Sequence, residues 1–406
     1  QIGIFVLYLL ISLVPFHFNL TEYPSLLFYR ELISITFILL ILINLYEGKL
    51  IDFKMRSELF FLILFPVLLF FAAFYDPMIN LYTDYWGWVS KTFQAADPRV
   101  YIIRNAILYL PMILYFAIRG LSQEEIKNIA IICIFIAPFS ILFYLLSVYE
   151  DGNFSIFLLS DMAEVGGANI QYNSYVPYLT FPFISGIYLL STRNSFWIKC
   201  LSFGSISIMS IFMFLSSSRQ SMLLLLFALL VFALFDKTGK GRKLIVYTVG
   251  LSSVFFFFYL ITVDVTVNEN LIDKYNSGAE TSRFNIFIEG LGLLRIHEFF
   301  TGAGLSSVVN SGPHNDYLRW TQRVGLIFMI VSFLPFFISL KGAVYKVLIE
   351  KEKVHFIYIA LSIFFTIYHS LFGYPREDAF QALFCFLGLG IWLGFSKNQN
   401  KKMGIV

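Results

Sequence analysis

The sequence predicts an all-α integral membrane protein of about twelve transmembrane helices, with one large loop outside the membrane. Three observations predict it. The chain is 58% hydrophobic and 19% aromatic but only 14% charged, far from the composition of soluble domains. Its apolar residues fall into runs close to the ~20 that a helix needs to cross a bilayer. No domain-sized polar block interrupts them, so residues 1–406 read as one polytopic membrane domain. The net charge of +3 carries no basic stripe that would point to nucleic acid. The three cysteines, Cys133, Cys200 and Cys385, sit scattered inside apolar runs. They read as small buried hydrophobes, not as a disulfide framework or metal cluster.

The expected spans are 2–16, 32–46, 58–75, 100–118, 126–148, 174–192, 196–215, 219–235, 243–262, 317–340, 354–372 and 379–396. The first is short, and the chain opens on Gln1 without a Met, so that span reads as clipped. Orientation follows from Lys and Arg in the connections. Connections 47–57, 119–127, 193–199, 236–243, 341–353 and 397–402 carry twice as many basic residues as the alternate, longer set. They are therefore expected on the cytoplasmic side, with both termini. Loops 149–173 and 263–316 then face outward, which in a Gram-negative bacterium means the periplasm.

Taken in order, the outer connections hold the unusual residues. Loop 76–99 has Tyr82, Tyr85, Trp86 and Trp88, readable as an interfacial aromatic belt or as a stacking surface for sugar rings. Arg104 and Asn105 lie about one turn inside the fourth span. An ionisable group there is a functional candidate or a snorkelling side chain. Loop 149–173 has four acids and no base. Ser218-Arg219 opens the eighth span, with Ser218 as a possible cap. A cation there opposes the helix dipole, but together with the helix N-terminus it makes an anion site. In the long outer loop, residues 282–294 read as an amphipathic helix with Phe284, Phe287, Ile288 and Leu291 on one face. Arg283 is in its first turn. Residues 298–304 read as a Gly-rich turn.

The stretch 301–325, TGAGLSSVVNSGPHNDYLRWTQRVG, is the most informative. Pro313 suits the first helical position, with Ser311 or Gly312 as cap. His314 then falls in the first turn, where a neutral imidazole is favoured and can accept a proton. Arg319 and Arg323 stand one turn apart on a helix expected to run unbroken through Gly325. An anion shared between them, or Asp316 pairing with Arg319, relieves their repulsion.

Together Arg219, Arg283, His314, Arg319, Arg323 and Arg104 form an anion-binding set plus one candidate base. No spacing of His, Cys and acids signals a metal, and no cofactor is indicated. Arginine forks suit a diphosphate. A lipid diphosphate would sit at this height with its tail in the membrane. The reaction that fits is glycosyl transfer from a polyprenyl-diphosphate sugar, with guanidinium groups stabilising the leaving anion. A twelve-span transporter or flippase, or a non-catalytic scaffold, are the competing classes. The transporter class predicts midplane charges and broken helices in matching halves.

These segments resemble the O-antigen ligase and O-antigen polymerase superfamily. The resemblance is carried by Ser218-Arg219, by Ser282-Arg283-Phe284-Asn285-Ile286-Phe287 followed by Gly302-Ala303-Gly304, and by His314-Asn315-x-x-Leu318 with Gly325. They come in the family's order over residues 216–326. Phe287 stands where Trp is common, Thr281 where Gly is expected, and Arg323 where an acid often precedes the glycine. The resemblance implies a GT-C-like helical fold and metal-independent transfer from an undecaprenyl-diphosphate-linked oligosaccharide. It implies Arg219, Arg283 and His314 as the functional positions. Arg319, Arg323, Arg104, Asn315, Asp316 and Tyr317 are the expected substrate contacts. It implies an enzyme of the bacterial inner membrane with a periplasmic active site, with membrane lipid and a chain-length regulator as partners. The acceptor is another lipid-linked repeat unit in a polymerase, or lipid A-core in a ligase.

Overall fold

The computed structural model describes residues 29–47, 56–74, 107–150, 163–165, 168–170, 172–192, 194–215, 219–235, 295–304, 315–350, 354–373 and 382–402. In chain order the elements are α1 (Tyr29–Tyr46), α2 (Ser57–Phe74), α3 (Leu110–Arg119), α4 (Gln123–Glu150), β1 (Ala163–Val165), β2 (Ala168–Ile170), α5 (Tyr172–Ser191), α6 (Phe196–Leu215), α7 (Arg219–Phe235), α8 (Ile296–Thr301), α9 (Asp316–Ile349), α10 (Val354–His369) and α11 (Ala382–Lys402).

Apart from α8, which falls in the expected outer loop, the described helices overlap ten of the expected stretches as helices. Spans 2–16 and 243–262, the aromatic loop 76–99 and the amphipathic segment 282–294 lie outside the described residues. By length and composition, Gln123–Leu142, Phe196–Met213 and Asp316–Ile349 are long and apolar enough to cross a membrane. Helix α3 begins at Leu110, later than expected, with Pro111 in its first turn, where a missing N–H costs nothing. One short hairpin interrupts the helices. β1 and β2 pair antiparallel, with Glu164 opposite Asn169. Gly166-Gly167 separates them in sequence, a pair suited to a two-residue hairpin turn.

The contacts divide the chain into two units. The first holds α4, the hairpin, α5, α6, α7 and the stretch Gly342–Phe365. Small residues let its helices approach. A Cβ at Gly186 would stand 2.7 Å from Ile206 Cγ1 and 3.5 Å from Ile134 Cγ2, so α5 lies close to both α6 and α4. Ser205 Oγ donates to Ile134 O at 2.7 Å. Inside the unit, Tyr188 stacks on Tyr358 with ring centroids 4.4 Å apart. The hydroxyl of Tyr188 shares a 2.7 Å hydrogen bond with His355 Nδ1, and that of Tyr358 a 3.0 Å bond with Ser185. These pairings satisfy polar atoms that an apolar interior would otherwise penalise. Outward, α7 shows Leu223, Leu226, Leu230 and Leu234, a face too apolar for water and suited to lipid chains. Cys200 is exposed on α6 while Cys133 and Cys385 are buried. The expectation that all three are buried is therefore corrected, because an apolar helix in a membrane can turn a cysteine toward lipid.

The second unit holds Tyr23–Leu121, Ala279–Lys341 and Thr366–Val406. Gly390 and Gly394 on α11 bring α3 in. A Cβ at Gly394 would lie 2.9 Å from Leu121 Cγ and 3.0 Å from Phe116 O, and Leu121 N donates to Gly394 O at 2.9 Å. At the same end Lys397 donates to Ile118 O. Arg56 bonds Ser396, pairs with Glu58 at 2.5 Å and lies 5.7 Å from the Trp392 ring centroid. Residues from connections 47–57, 119–127 and 397–402 thus lie near one another around the end of α11.

Candidate active site

The site is built on the start of α9. Asn315 Oδ1 accepts the Leu318 N–H at 3.0 Å, the side-chain cap that ends an orphan-donor problem. The cap is therefore Asn315, and not Ser311 or Gly312 as expected, and the helix starts at Asp316. His314 precedes the cap in sequence.

The capped end is bolted to the end of α10. Asp316 N donates to Ser370 O at 2.8 Å, Ser370 Oγ to Asp316 Oδ2 at 3.3 Å, Asn315 Nδ2 to Leu371 O at 3.1 Å and Tyr317 OH to Ile367 O at 3.0 Å. The carbonyls used here are those that the end of a helix leaves unsatisfied. Asp316 is fully buried. Asn315, Asp316 and Tyr317, expected as substrate contacts, all act as anchors in these bonds.

The expectation of an unbroken helix is corrected at Gly325. Its φ of 85 and ψ of 164 are non-helical, in a region open essentially to glycine. In a straight helix Tyr317 and Phe333 would be about 24 Å apart. Their ring centroids are instead 4.1 Å apart and stacked. The chain doubles back at Gly325, so that residues 316–324 form a short leg lying along the longer one. Tyr317 then lies about 12 Å down the long leg from the reversal.

A second chain segment holds the reversal. Residues 298–304, expected as a turn, begin as helix: α8 starts with Arg295 N donating to Glu298 Oε2 at 2.8 Å and stops at Gly302, whose N–H reaches Glu298 O at 2.7 Å. The glycines after it make the turn. Ala303 N donates to Gln322 O at 2.7 Å and Gly304 N to Arg323 O at 3.2 Å, which caps the C-terminal end of the short leg. The two backbones touch. A Cβ at Gly302 would stand 2.3 Å from Arg323 O, and one at Gly325 2.0 Å from Phe300 O.

The short leg carries the two arginines in its last two turns, where the negative end of the helix dipole favours cations. Arg323 is 1% exposed. Its Cζ lies 5.9 Å from the centroid of the Trp320 ring, and Phe65 meets that ring edge-on at 5.3 Å. Arg319, one turn earlier, is half-buried. A guanidinium in so apolar a wall has its charge little screened.

Arg104, Arg283 and His314 lie outside the described residues. Arg219 opens α7 in the first unit, as expected from its place at the start of a span. The anchors Ser370 and Trp320 were not among the residues expected. The only sequence signals for them were a polar pair, His369-Ser370, ending an apolar run, and a tryptophan three residues before Arg323.

Residues 204–333 match the family model described as O-Antigen ligase. This match supports the O-antigen polymerase and ligase superfamily, in agreement with the resemblance read from the motifs. The matched segment takes in Arg219, Arg283, His314, Arg319, Arg323, the Gly302–Gly304 turn and Gly325, and leaves Arg104 outside. Proteins of this family are membrane enzymes of the glycosyltransferase kind that use lipid-linked oligosaccharides. With the apolar helices, the match points to a bacterial membrane protein of lipopolysaccharide or related assembly. No curated protein matches the chain.

Proposed function

We propose that this protein is an O-antigen polymerase. It joins lipid-linked repeat units on the periplasmic side of the inner membrane. An acceptor sugar hydroxyl attacks the anomeric carbon of the oligosaccharide on undecaprenyl diphosphate. A new glycosidic C–O bond forms, the C–O bond to the diphosphate breaks, and undecaprenyl diphosphate leaves with the electron pair. His314 accepts or positions the hydroxyl proton. Arg219 and Arg283 have the role of stabilising the charge that develops on the leaving group, and Arg319, Arg323 and Arg104 that of binding the diphosphate. No metal is required, because the guanidinium groups supply the positive charge. Both termini are cytoplasmic, and a chain-length regulator acts beside the enzyme.

The observation that carries this reading is the short leg of α9. It presents two arginines from its negative end in an apolar setting, inside the segment that matches the family. Ligase is the second reading, favoured by the family's description. A lipopolysaccharide gel of a strain lacking the gene, with and without the cloned gene, separates the two. Core plus one repeat unit, restored to a ladder, supports the polymerase. Bare core with polymer accumulating on undecaprenyl diphosphate supports the ligase. An unchanged ladder contradicts both and returns the transporter reading, for which the break at Gly325 is one of the expected features.

A further inference from the structure

A glycine turn ahead of two arginines, in a protein that handles diphosphates, is readily taken for an anion cradle. Its geometry argues against that use. A cradle offers free N–H groups to phosphate oxygens. Here the Ala303 and Gly304 N–H groups are given to Gln322 O and Arg323 O. Those carbonyls are the negative end of the short leg, which repels an anion. Neither Gly302 nor Gly325 has room for a side chain, because each faces backbone of the other segment. The nearest atoms to their Cβ positions are Arg323 O and Phe300 O. The φ of Gly302 is 83, of Gly304 120 and of Gly325 85, so all three hold backbone that other residues rarely adopt.

We propose that Gly302 and Gly325 are positioning residues. They form a backbone clasp that fixes the reversal of α9, and so the depth and facing of Arg319 and Arg323, without touching the donor. The clasp works from one end of the short leg while the bonds of Asn315, Asp316 and Tyr317 to α10 work from the other. A leg of under three turns, fixed at both ends, leaves its arginines little freedom to shift. This inference rests on the reading of Arg319 and Arg323 as contacts of the donor diphosphate.

The test uses the full-length protein in lipid nanodiscs, with undecaprenyl-diphosphate-linked oligosaccharide as donor. Gly302→Ala is expected to lower kcat/KM for the donor by about a hundredfold, the effect of a displacement near 1 Å, and to leave the acceptor KM unchanged. In an Arg319→Ala, Arg323→Ala background the same change is expected to add less than about twofold, because sites that act through one another do not multiply. A full hundredfold in both backgrounds, or a rise in acceptor KM alone, overturns the inference. If Gly302→Ala does not fold, Gly304→Ala disturbs the same turn through its φ and is held to the same outcomes. Amide hydrogen exchange tests the clasp independently of chemistry. Ala303 and Gly304 N–H groups protected in the wild type and open in the folded glycine variant support it, and unprotected amides in the wild type overturn it. A wild-type protein with protected amides and no donor turnover contradicts the transferase reading while leaving the clasp standing.

Discussion

Replacing Gly325 with alanine should destabilise the protein far more than its single methyl group suggests. The native φ of 85 and ψ of 164 cost a non-glycine residue about 1–3 kcal/mol. The added Cβ would stand 2.0 Å from Phe300 O, 2.4 Å from Phe300 C and 2.7 Å from Thr301 N. All three are backbone atoms, which cannot rotate away, so relief requires the two segments to part at a cost of about 1–3 kcal/mol. Reduced freedom of the unfolded chain returns about 0.4–1 kcal/mol. The net is a loss of about 1–6 kcal/mol, and at about 2 °C per kcal/mol the melting temperature falls by about 2 °C or more. Thermal melts in detergent, followed by tryptophan fluorescence, read this directly. Gly204→Ala is the control. Its Cβ meets nothing within 4 Å and it lies inside α6, where alanine is favoured by about 0.5–1 kcal/mol. The reasoning predicts opposite signs at the two positions. A Gly325→Ala protein that melts at or above the Gly204→Ala protein refutes the clasp geometry.

Trp320→Ala strips the ring from beside Arg323 and from the edge of Phe65, and should cost about 3–5 kcal/mol. An unshifted melt would show that the buried arginine does not depend on it. Asn315→Ala removes the cap of the short leg and the bond to Leu371 O. A loss of about 0.5–2 kcal/mol is expected. Asn315→Asp should fall between, since it keeps the cap and loses the amide donor. Gly394→Leu forces α11 from α3 against Leu121 and Phe116, with an expected loss of about 1–3 kcal/mol in the same melts. Normal stability there would mean that the helices are not in close contact.

The long helices were legible because a sustained apolar run has few other uses, and Lys and Arg mark its ends. The sequence was silent where hydrophobicity stays constant while geometry changes. Val324-Gly325-Leu326 continues an apolar pattern that reads as one helix, and only the contact of Tyr317 with Phe333 shows the reversal. The pair Gly302 and Gly325 carried a recognisable spacing, but not the fact that each faces backbone of the other segment. Asn315 lost to Ser311-Gly312-Pro313 as the expected cap, because two plausible start signals stood four residues apart. Only the carbonyls of α10, offered from a distant part of the chain, favour the later one. Gly166-Gly167 was a readable hairpin signal, and it was passed over inside a loop marked only by its acids. Cys200 shows the remaining blind spot. Apolar composition does not tell a helix face toward lipid from one toward protein, since both are equally greasy. In the candidate site, the nearness of Arg319 and Arg323 on one short leg was legible from their spacing. The burial of Arg323 beside Trp320 was not, because a pattern of residue types carries no depth.

The most direct test is made in proteoliposomes holding the purified full-length protein and a lipid-linked repeat unit on undecaprenyl diphosphate, with a chelator present. Longer lipid-linked chains are predicted, with one free undecaprenyl diphosphate released per bond formed, and a large but measurable drop in both products in Arg319→Ala, Arg323→Ala protein. Movement of intact lipid-linked oligosaccharide across the bilayer, with no undecaprenyl diphosphate released, would contradict this prediction.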